Sequence, residues 1–583
     1  MAGTRPRCTE HRSRCAGVAA ALALALPAGL PAMVPAPGHA AAEPLRDTPI
    51  VWFANDARAV PPPAPEERGL VPYAVEAFLG RPFSRFWNPA RLVRRLNGDG
   101  PSQEALDVNA LDEVVDSAWF TNRIGVRPLS ADELAEGAAH GTTLAAGPLR
   151  PLVVLKAKSA GVTPGFTVRD RRGDIWLLKF DPPSHPGMTI RAGVVANLLF
   201  HAMGYNTPVD RVVTFTRNDL VLDGAITINL ERGRALAVNA ANLDSILAAT
   251  NSRFGGCYHA LASRYLDGRI LGSFDDEGRR DDDPNDLVPH EDRRELRALR
   301  VFGAWLNHFD LKRQNTLDVY EGPPGEGHVR HYLIDFASTL GTFGDRIVPR
   351  FGYEYGIDLF PILGRMATLG LVEDAWARLD TPPGLPEIGI FTAEVFDPAG
   401  WKPDLPHSGM ANLTRRDGYW AAKVLSAFTA DDLRVVLRQG LYQDPAAQEY
   451  LLRTLLARRQ AIVDHWFARV PPLDFFTADA RGVAFTDLAV ARGFAPSAGA
   501  RYRCRLAAVD AERRGERGPW QEVVAGRVEL ADAGGRLLPH VPVTGPQRPF
   551  LALELQLDRG GGWSTSTTAC LAPASRRIVA VDR

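Results

Sequence analysis

Between residues 148 and 265 the apolar positions come in short runs broken by turn residues. "RPLVVLKAK" is one such run, and "GFTVRD" and "DIWLLKF" flank "RRG". That arrangement predicts a hairpin with Gly173 at its turn. A single helical period follows in "RAGVVANLLFHAMG", with Gly204 as its stop. "DRVVTFTRNDLVLDG" predicts two further strands. From about residue 266 the period lengthens to that of helices. "LRALRVFGAWL", "WAAKVLSAF", "ADDLRVVLRQG" and "QEYLLRTLLARRQAIVDHWFARV" carry it, interrupted by "TLDVY" and "HVRHYLIDF" around a turn-rich "EGPPGEG". From about residue 476 strand-like runs return in "RYRCRLAAVD", "WQEVVAGRVEL", "PFLALELQLD" and "RRIVAVD". They predict a small β-sandwich, with Cys504, Trp520 and Cys570 in that order as candidates for its core. The fold class expected is therefore α+β, without a fixed-period repeat.

The start of the chain follows other rules. Arg5, Arg7, Arg12 and Arg14 precede "AGVAAALALALPAGLPAMVPA", and small residues follow in "GHAAAEP". Basic, then apolar, then small is the order of a secretory signal peptide. Residues 1–42 are expected to be removed near Ala40 to Ala42, giving an exported protein, periplasmic, cell-surface or extracellular. Pro27, Pro31 and Pro35 suit a cleaved signal better than a stable membrane span. Residues 43–147 form an N-terminal extension with a Pro-rich piece, "VPPPAPEERG", and short helices expected at "NPARLVRRL" and "ADELAEGA". Residues 148–265, 266–475 and 476–583 complete the division into a β-rich lobe, a helical lobe and the sandwich.

Composition narrows the classes. The 583 residues are 45% hydrophobic and 23% charged with a formal charge of -1, an ordinary globular balance. Such a charge gives no electrostatic case for nucleic acid. Of five cysteines, Cys257, Cys504 and Cys570 follow the leader. An exported compartment permits a Cys504–Cys570 disulfide with Cys257 left free, against three buried thiols. The acidic loop spanning Asp281 to Asp286 reads as a solvated charge run, with a Ca²⁺ site as its alternative.

The densest chemistry is "NHFDLKRQN", Asn307 to Asn315, where a helical run gives way to a strand-like one. "YLIDFAS" comes after the second hairpin and contains Asp335, Phe336 and Ala337. Far upstream Lys179 ends "IWLLK", and Gly161 and Gly165 lie in "GVTPGFTV". Singly, each has a plain structural explanation: a solvated lysine, a turn, a buried strand, a helix cap. Together, His308, Asp310, Leu311, Lys312 and Asn315 resemble the catalytic loop H-R-D-L-K-x-x-N of the protein-kinase-like fold, with Phe309 in place of the Arg. Asp335-Phe336-Ala337 resembles its D-F-G. The upstream stretch looks most like the HipA-type and CotH-like bacterial kinases, and the resemblance covers about residues 150–475.

The resemblance implies a two-lobed kinase-like core and phosphoryl transfer, which needs positioning and charge neutralisation more than covalent work. It implies that Asp310 orients an acceptor hydroxyl and takes its proton, and that Lys312 contacts the transferred group. The same resemblance implies that Lys179, Gly161 and Gly165 would bind ATP or another nucleoside triphosphate, that Asn315 and Asp335 would hold Mg²⁺, and that His308 would brace the loop. The implied acceptor is a protein or a small molecule. One departure stands out. Such kinases pair the strand lysine with a Glu on the following helix, yet no acid lies between Asp181 and Asp210. Gly193 or Asn197 takes that place, leaving Glu231 or no partner for Lys179. A catalytically degenerate pseudokinase, a nucleotidyl transferase and an interaction protein acting through the sandwich remain alternatives. The signatures of serine hydrolases, zincins and Walker-A proteins are absent.

Overall fold

The computed structural model describes residues 44–583, apart from 48–55, 67–68, 90, 92, 95–101, 158–164, 183, 223–225, 231–233, 239, 249, 251–252, 345 and 525. The leader expected at residues 1–42 lies outside them. Among the described residues no helix is long and apolar enough to cross a membrane.

The first sheet contains β1 (Leu152–Ala157), β2 (Gly165–Arg169), β3 (Ile175–Lys179), β4 (Asp210–Phe215) and β5 (Leu220–Leu222). A separate hairpin, β6 (Ile226–Leu230) and β7 (Arg234–Val238), precedes β8 (Arg253–Phe254) and β9 (Cys257–Arg264). The strand order is β4-β9-β3-β2-β1-β5, with β8 on β9. The β2–β3 hairpin turns at Gly173 (φ 96°), as its sequence predicts. Asp170 fixes that turn by accepting from the backbone N–H of Arg172 (2.8 Å) and Asp174 (3.0 Å).

The two faces of this sheet serve different partners, as the two-residue period of strands requires. Val154, Phe166, Val168, Trp176, Leu178, Ala260 and Ala262 share one apolar cluster. Leu261, from the opposite face, joins a second cluster with helix α1 (Thr189–Met203). Asp181 starts that helix by accepting from the N–H of Gly187, Thr189 and Ile190 and from the Thr189 hydroxyl. The orphan N–H groups of Thr189 and Ile190 are thereby satisfied.

The second cluster extends into α2 (Arg294–Leu306), α3 (Arg415–Ser426), α4 (Ala430–Gln439) and α5 (Pro445–Phe467). Helix α2 buries two arginines, and Asp417 of α3 answers both, at 3.1 Å to Arg294 and 3.3 Å to Arg297. A small sheet, β10 (Arg269–Gly272), β11 (Thr316–Glu321) and β12 (His328–Leu333), lies beside it. The acidic loop is solvated only in part: Asp281 and Asp282 are exposed, whereas Asp283 and Asp286 are buried, and among the described residues no carboxylate cage for a metal forms. Asp286 binds His290 (2.7 Å) and Arg293 (3.0 Å), and Asp282 binds Arg280 (2.9 Å).

The N-terminal extension is woven into these layers. Trp119 stacks on His331 with centroids 3.5 Å apart, and Asp112 meets Arg294 at 2.8 Å. The helix Ala131–Glu136 opens with the capping box of Ser130 and Glu133. Continuous helical turns over 70–86 have no counterpart in the sequence expectations. They turn Tyr73, Ala77 and Arg81 inward and leave Val71, Val75, Leu79, Phe83 and Trp87 outside, so their apolar side does not mark the core.

At the C-terminal end β13 (Leu473–Ala478), β14 (Gly482–Asp487) and β17 (Arg527–Glu529) form one sheet. β16 (Gln521–Val523), β15 (Arg501–Val509), β18 (Phe550–Asp558), β19 (Thr567–Ala572) and β20 (Arg577–Asp582) form another in that order. Leu473, Val483 and Phe485 of the first pack with Tyr502, Leu506 and Leu553 of the second.

Two expectations fail here. Cys504 and Cys570 are free thiols. They lie on strands either side of β18, opposite Leu555 and Ala552 respectively. Two strand spacings separate them by about 10 Å sideways, beyond the roughly 7 Å a disulfide spans. The odd offset along β18 also puts them on opposite faces, Cys504 between the sheets and Cys570 on the other side with Val509. Trp520 is no core tryptophan either. It is stacked against Arg503 (4.5 Å) and Arg505 (4.6 Å) on the outer face.

Candidate active site

Helix α2 ends at Asn307, whose left-handed backbone (φ 50°, ψ 44°) turns the chain out of the helix. Its side-chain amide donates to the Phe351 carbonyl and its oxygen accepts from Trp401 Nε1 at 2.9 Å, so the exit angle is fixed. The loop then closes on itself. Asp310 Oδ1 accepts from Lys312 Nζ at 2.6 Å. Asn315 Nδ2 donates to both the backbone oxygen (2.8 Å) and Oδ2 (3.0 Å) of Asp310. Both carboxylate oxygens are therefore held. Burial pushes the Asp310 carboxyl up, Lys312 and Asn315 pull it down, and the charge of Asp335 pushes it up again.

Asn315 leads into β11, which pairs with β12, and the Ile334 N–H returns to the Asn315 carbonyl at 3.0 Å. That bond sets Asp335 beside the loop. Asp335 adopts a left-handed backbone (φ 59°). Its Oδ1 accepts from Lys179 Nζ at 2.9 Å, which joins the end of β3 to the segment after β12. Lys179, Asp310, Lys312, Asn315 and Asp335, spread over more than 150 positions of sequence, thus meet in one place; the Lys179–Asp335 separation alone is 156. Gly165 lies directly across from Lys179 in the β2–β3 register. Gly161 lies outside the described residues, as does Glu231.

Behind the polar groups stands an apolar brace. Phe336 is buried with its ring 5.2 Å from that of Phe200 on α1 and 5.7 Å from that of His308. His308 donates from Nδ1 to the Ser338 carbonyl at 3.1 Å. Burial pushes its pKa down to about 4. A neutral imidazole, one nitrogen spent and ringed by phenylalanines, positions the loop rather than moving protons. Phe309 leaves the site altogether and stacks on Phe351.

The helix that faces Lys179 supplies no acid. A Cβ at Gly193 would come within 2.9 Å of Leu261 Cδ1 and 3.5 Å of Ala337 Cα, so α1 packs there without room for a side chain. Asn197 donates to the Pro208 carbonyl instead. Asp210, which the sequence pattern left as an ordinary strand residue, is buried on β4, and its Oδ1 has no hydrogen-bond partner. Its only sequence signal is an acid opening the strand "DRVVTF".

Among the described residues no group of three or more His, Cys, Asp or Glu stands ready to hold a metal. Asn315 and Asp335 do offer amide and carboxylate oxygens, the hard donors Mg²⁺ prefers. That ion is commonly held by one or two protein groups, with phosphate and water completing its shell. The donor set therefore fits Mg²⁺ bound together with a phosphate-bearing ligand.

No protein-family model matches the chain, and no curated protein matches it. A search of solved structures finds similarity to the crystal structure of a Helicobacter pylori proinflammatory kinase, CtkA. The identity is 10%, the match covers 52% of this chain and 94% of that one, and the TM-score is 0.27.

Proposed function

We propose that the chain is an atypical kinase-like phosphotransferase. The observation that carries this reading is the convergence of Lys179 and Asp335, paired at 2.9 Å, with the Asp310–Lys312–Asn315 cage. In this account Lys179 neutralises the phosphates of a nucleoside triphosphate. Asp310 orients the hydroxyl of a protein or small-molecule acceptor and receives its proton as the new P–O bond forms and the bond to the nucleoside diphosphate breaks. Its raised pKa makes it a better base than a solvated carboxylate. Lys312, already 2.6 Å from Asp310, meets the charge on the moving phosphoryl group. Asn315 and Asp335 would hold Mg²⁺, which supplies charge neutralisation at the phosphates when bound. The basic–apolar–small order of residues 1–42 supports export of the mature protein.

A second reading keeps the fold and loses the chemistry. The packing at Gly193 removes the helix acid that orders the lysine, which favours a nucleotide-binding pseudokinase. Incubation with Mg²⁺ and ATP labelled at either the γ- or the α-phosphate separates the cases. γ-Label on protein or acceptor supports phosphotransfer, α-label marks nucleotidyl transfer, and binding without either label marks the pseudokinase.

A further inference from the structure

The sheet carries an acid on the face where the helix has none. In antiparallel pairing, directly opposed residues share a face, and so do residues two apart on one strand. Lys179 lies opposite Leu261 and Leu177 opposite Ser263 across β3 and β9, and Ser263 lies opposite Asp210 across β9 and β4. Lys179, Leu261, Ser263 and Asp210 therefore line a single face. It is the face turned to α1, because Leu261 packs beneath Gly193.

Asp210 is also incomplete as it stands. It is 3% exposed, it stands opposite Ser263, and Oδ1 has no partner. A buried carboxylate oxygen without a donor is costly unless a cation answers it. Lys179 is near enough for its charge to lower the Asp210 pKa. The present partner of Lys179, Asp335, is by contrast 45% exposed at its side chain and is the proposed cation ligand.

We propose that Asp210 is the positioning residue for Lys179, doing from strand β4 what a helix glutamate does in ordinary protein kinases. When Asp335 turns to a cation, the ammonium of Lys179 has three donors to share between Asp210 and the phosphates. The assignment rests on the phosphotransfer reading for its purpose, but not for its test.

The test is amine-reactive labelling of Lys179 without nucleotide, followed by peptide mass spectrometry. In an Asp335→Asn background Lys179 has lost its exposed partner and falls back on Asp210. Adding Asp210→Asn is expected to raise its labelling rate at least threefold, with other lysines unchanged, and Asp210→Glu to restore most of the protection. A rate at Lys179 unchanged by Asp210→Asn overturns the assignment even if the protein transfers phosphate. In transfer assays Asp210→Asn is expected to lower single-turnover rate at least tenfold with Lys179 present and less than twofold in Lys179→Gln. Equal losses in both backgrounds would also overturn it. Failure of the wild type to bind Mg²⁺ and nucleotide defeats the phosphotransfer reading alone, and the labelling rates still decide whether Asp210 holds Lys179.

Discussion

Phe309 lies flat on Phe351, with ring centroids 3.9 Å apart and planes 4° from parallel. Phe343 meets both rings edge-on, at 5.7 Å and 5.0 Å. Phe309 is thus an apolar peg holding the chain after Asp335 against the Asn307–Asn315 loop. Phe309 orders the segment by burial and stacking alone.

Phe309→Ala is accordingly expected to cost about 3–4 kcal/mol, as for other buried aromatic truncations. Hydrogen exchange at the backbone N–H of Phe351 and Tyr353, bonded to Val348 and Arg350, should rise with it. Denaturant unfolding that moves by less than about 1 kcal/mol would mean the stack is dispensable.

Asp210 should make the protein less stable than it need be. Burial pushes its carboxyl up to about 6. A raised acid favours the fold fully at pH values below its unfolded pKa, about 3.9. That advantage is lost as pH rises through about 6. Asp210→Asn should therefore match wild-type stability near pH 4, gain between there and pH 6, and hold a gain on the order of 3 kcal/mol above it. Thermal melts across that window check the sign. A gain largest in acid would contradict the assignment.

The cysteines give a simple count. A chain beginning after residue 42 should show three reactive thiols when denatured without reduction, one of them Cys257. A chain retaining the leader would add Cys8 and Cys15. In the native state Cys504 and Cys570 should resist labelling, since burial pushes their pKa values up to about 11 and about 12. One thiol in the denatured, unreduced mature protein would restore the disulfide.

Local sequence patterns carried far, and their failures have physical causes. The Gly173 hairpin, the α1 period and the Asn307–Asn315 loop were legible because turn chemistry and periodicity are local. Strand pairing is not local. Without the β15–β18–β19 order, Cys504 and Cys570 read as neighbours, whereas β18 divides them. Asp210 was invisible for the same reason, because its relation to Lys179 exists only through two pairings to β9. The helical turns over 70–86 went unread, since their inward side docks through Arg81 on Asp276 at 2.7 Å and their outward side is apolar.

The central claim is that Lys179, Asp310, Asn315 and Asp335 form a working metal–nucleotide site. Calorimetry of the purified mature protein with nucleoside triphosphates, with and without Mg²⁺, tests it most directly. Mg²⁺-dependent binding is expected in the wild type, lost in Asp335→Ala and kept in Asp310→Asn, with the latter failing to transfer phosphate. The absence of Mg²⁺-dependent binding for every common nucleoside triphosphate, or binding indifferent to Asp335→Ala, would contradict it.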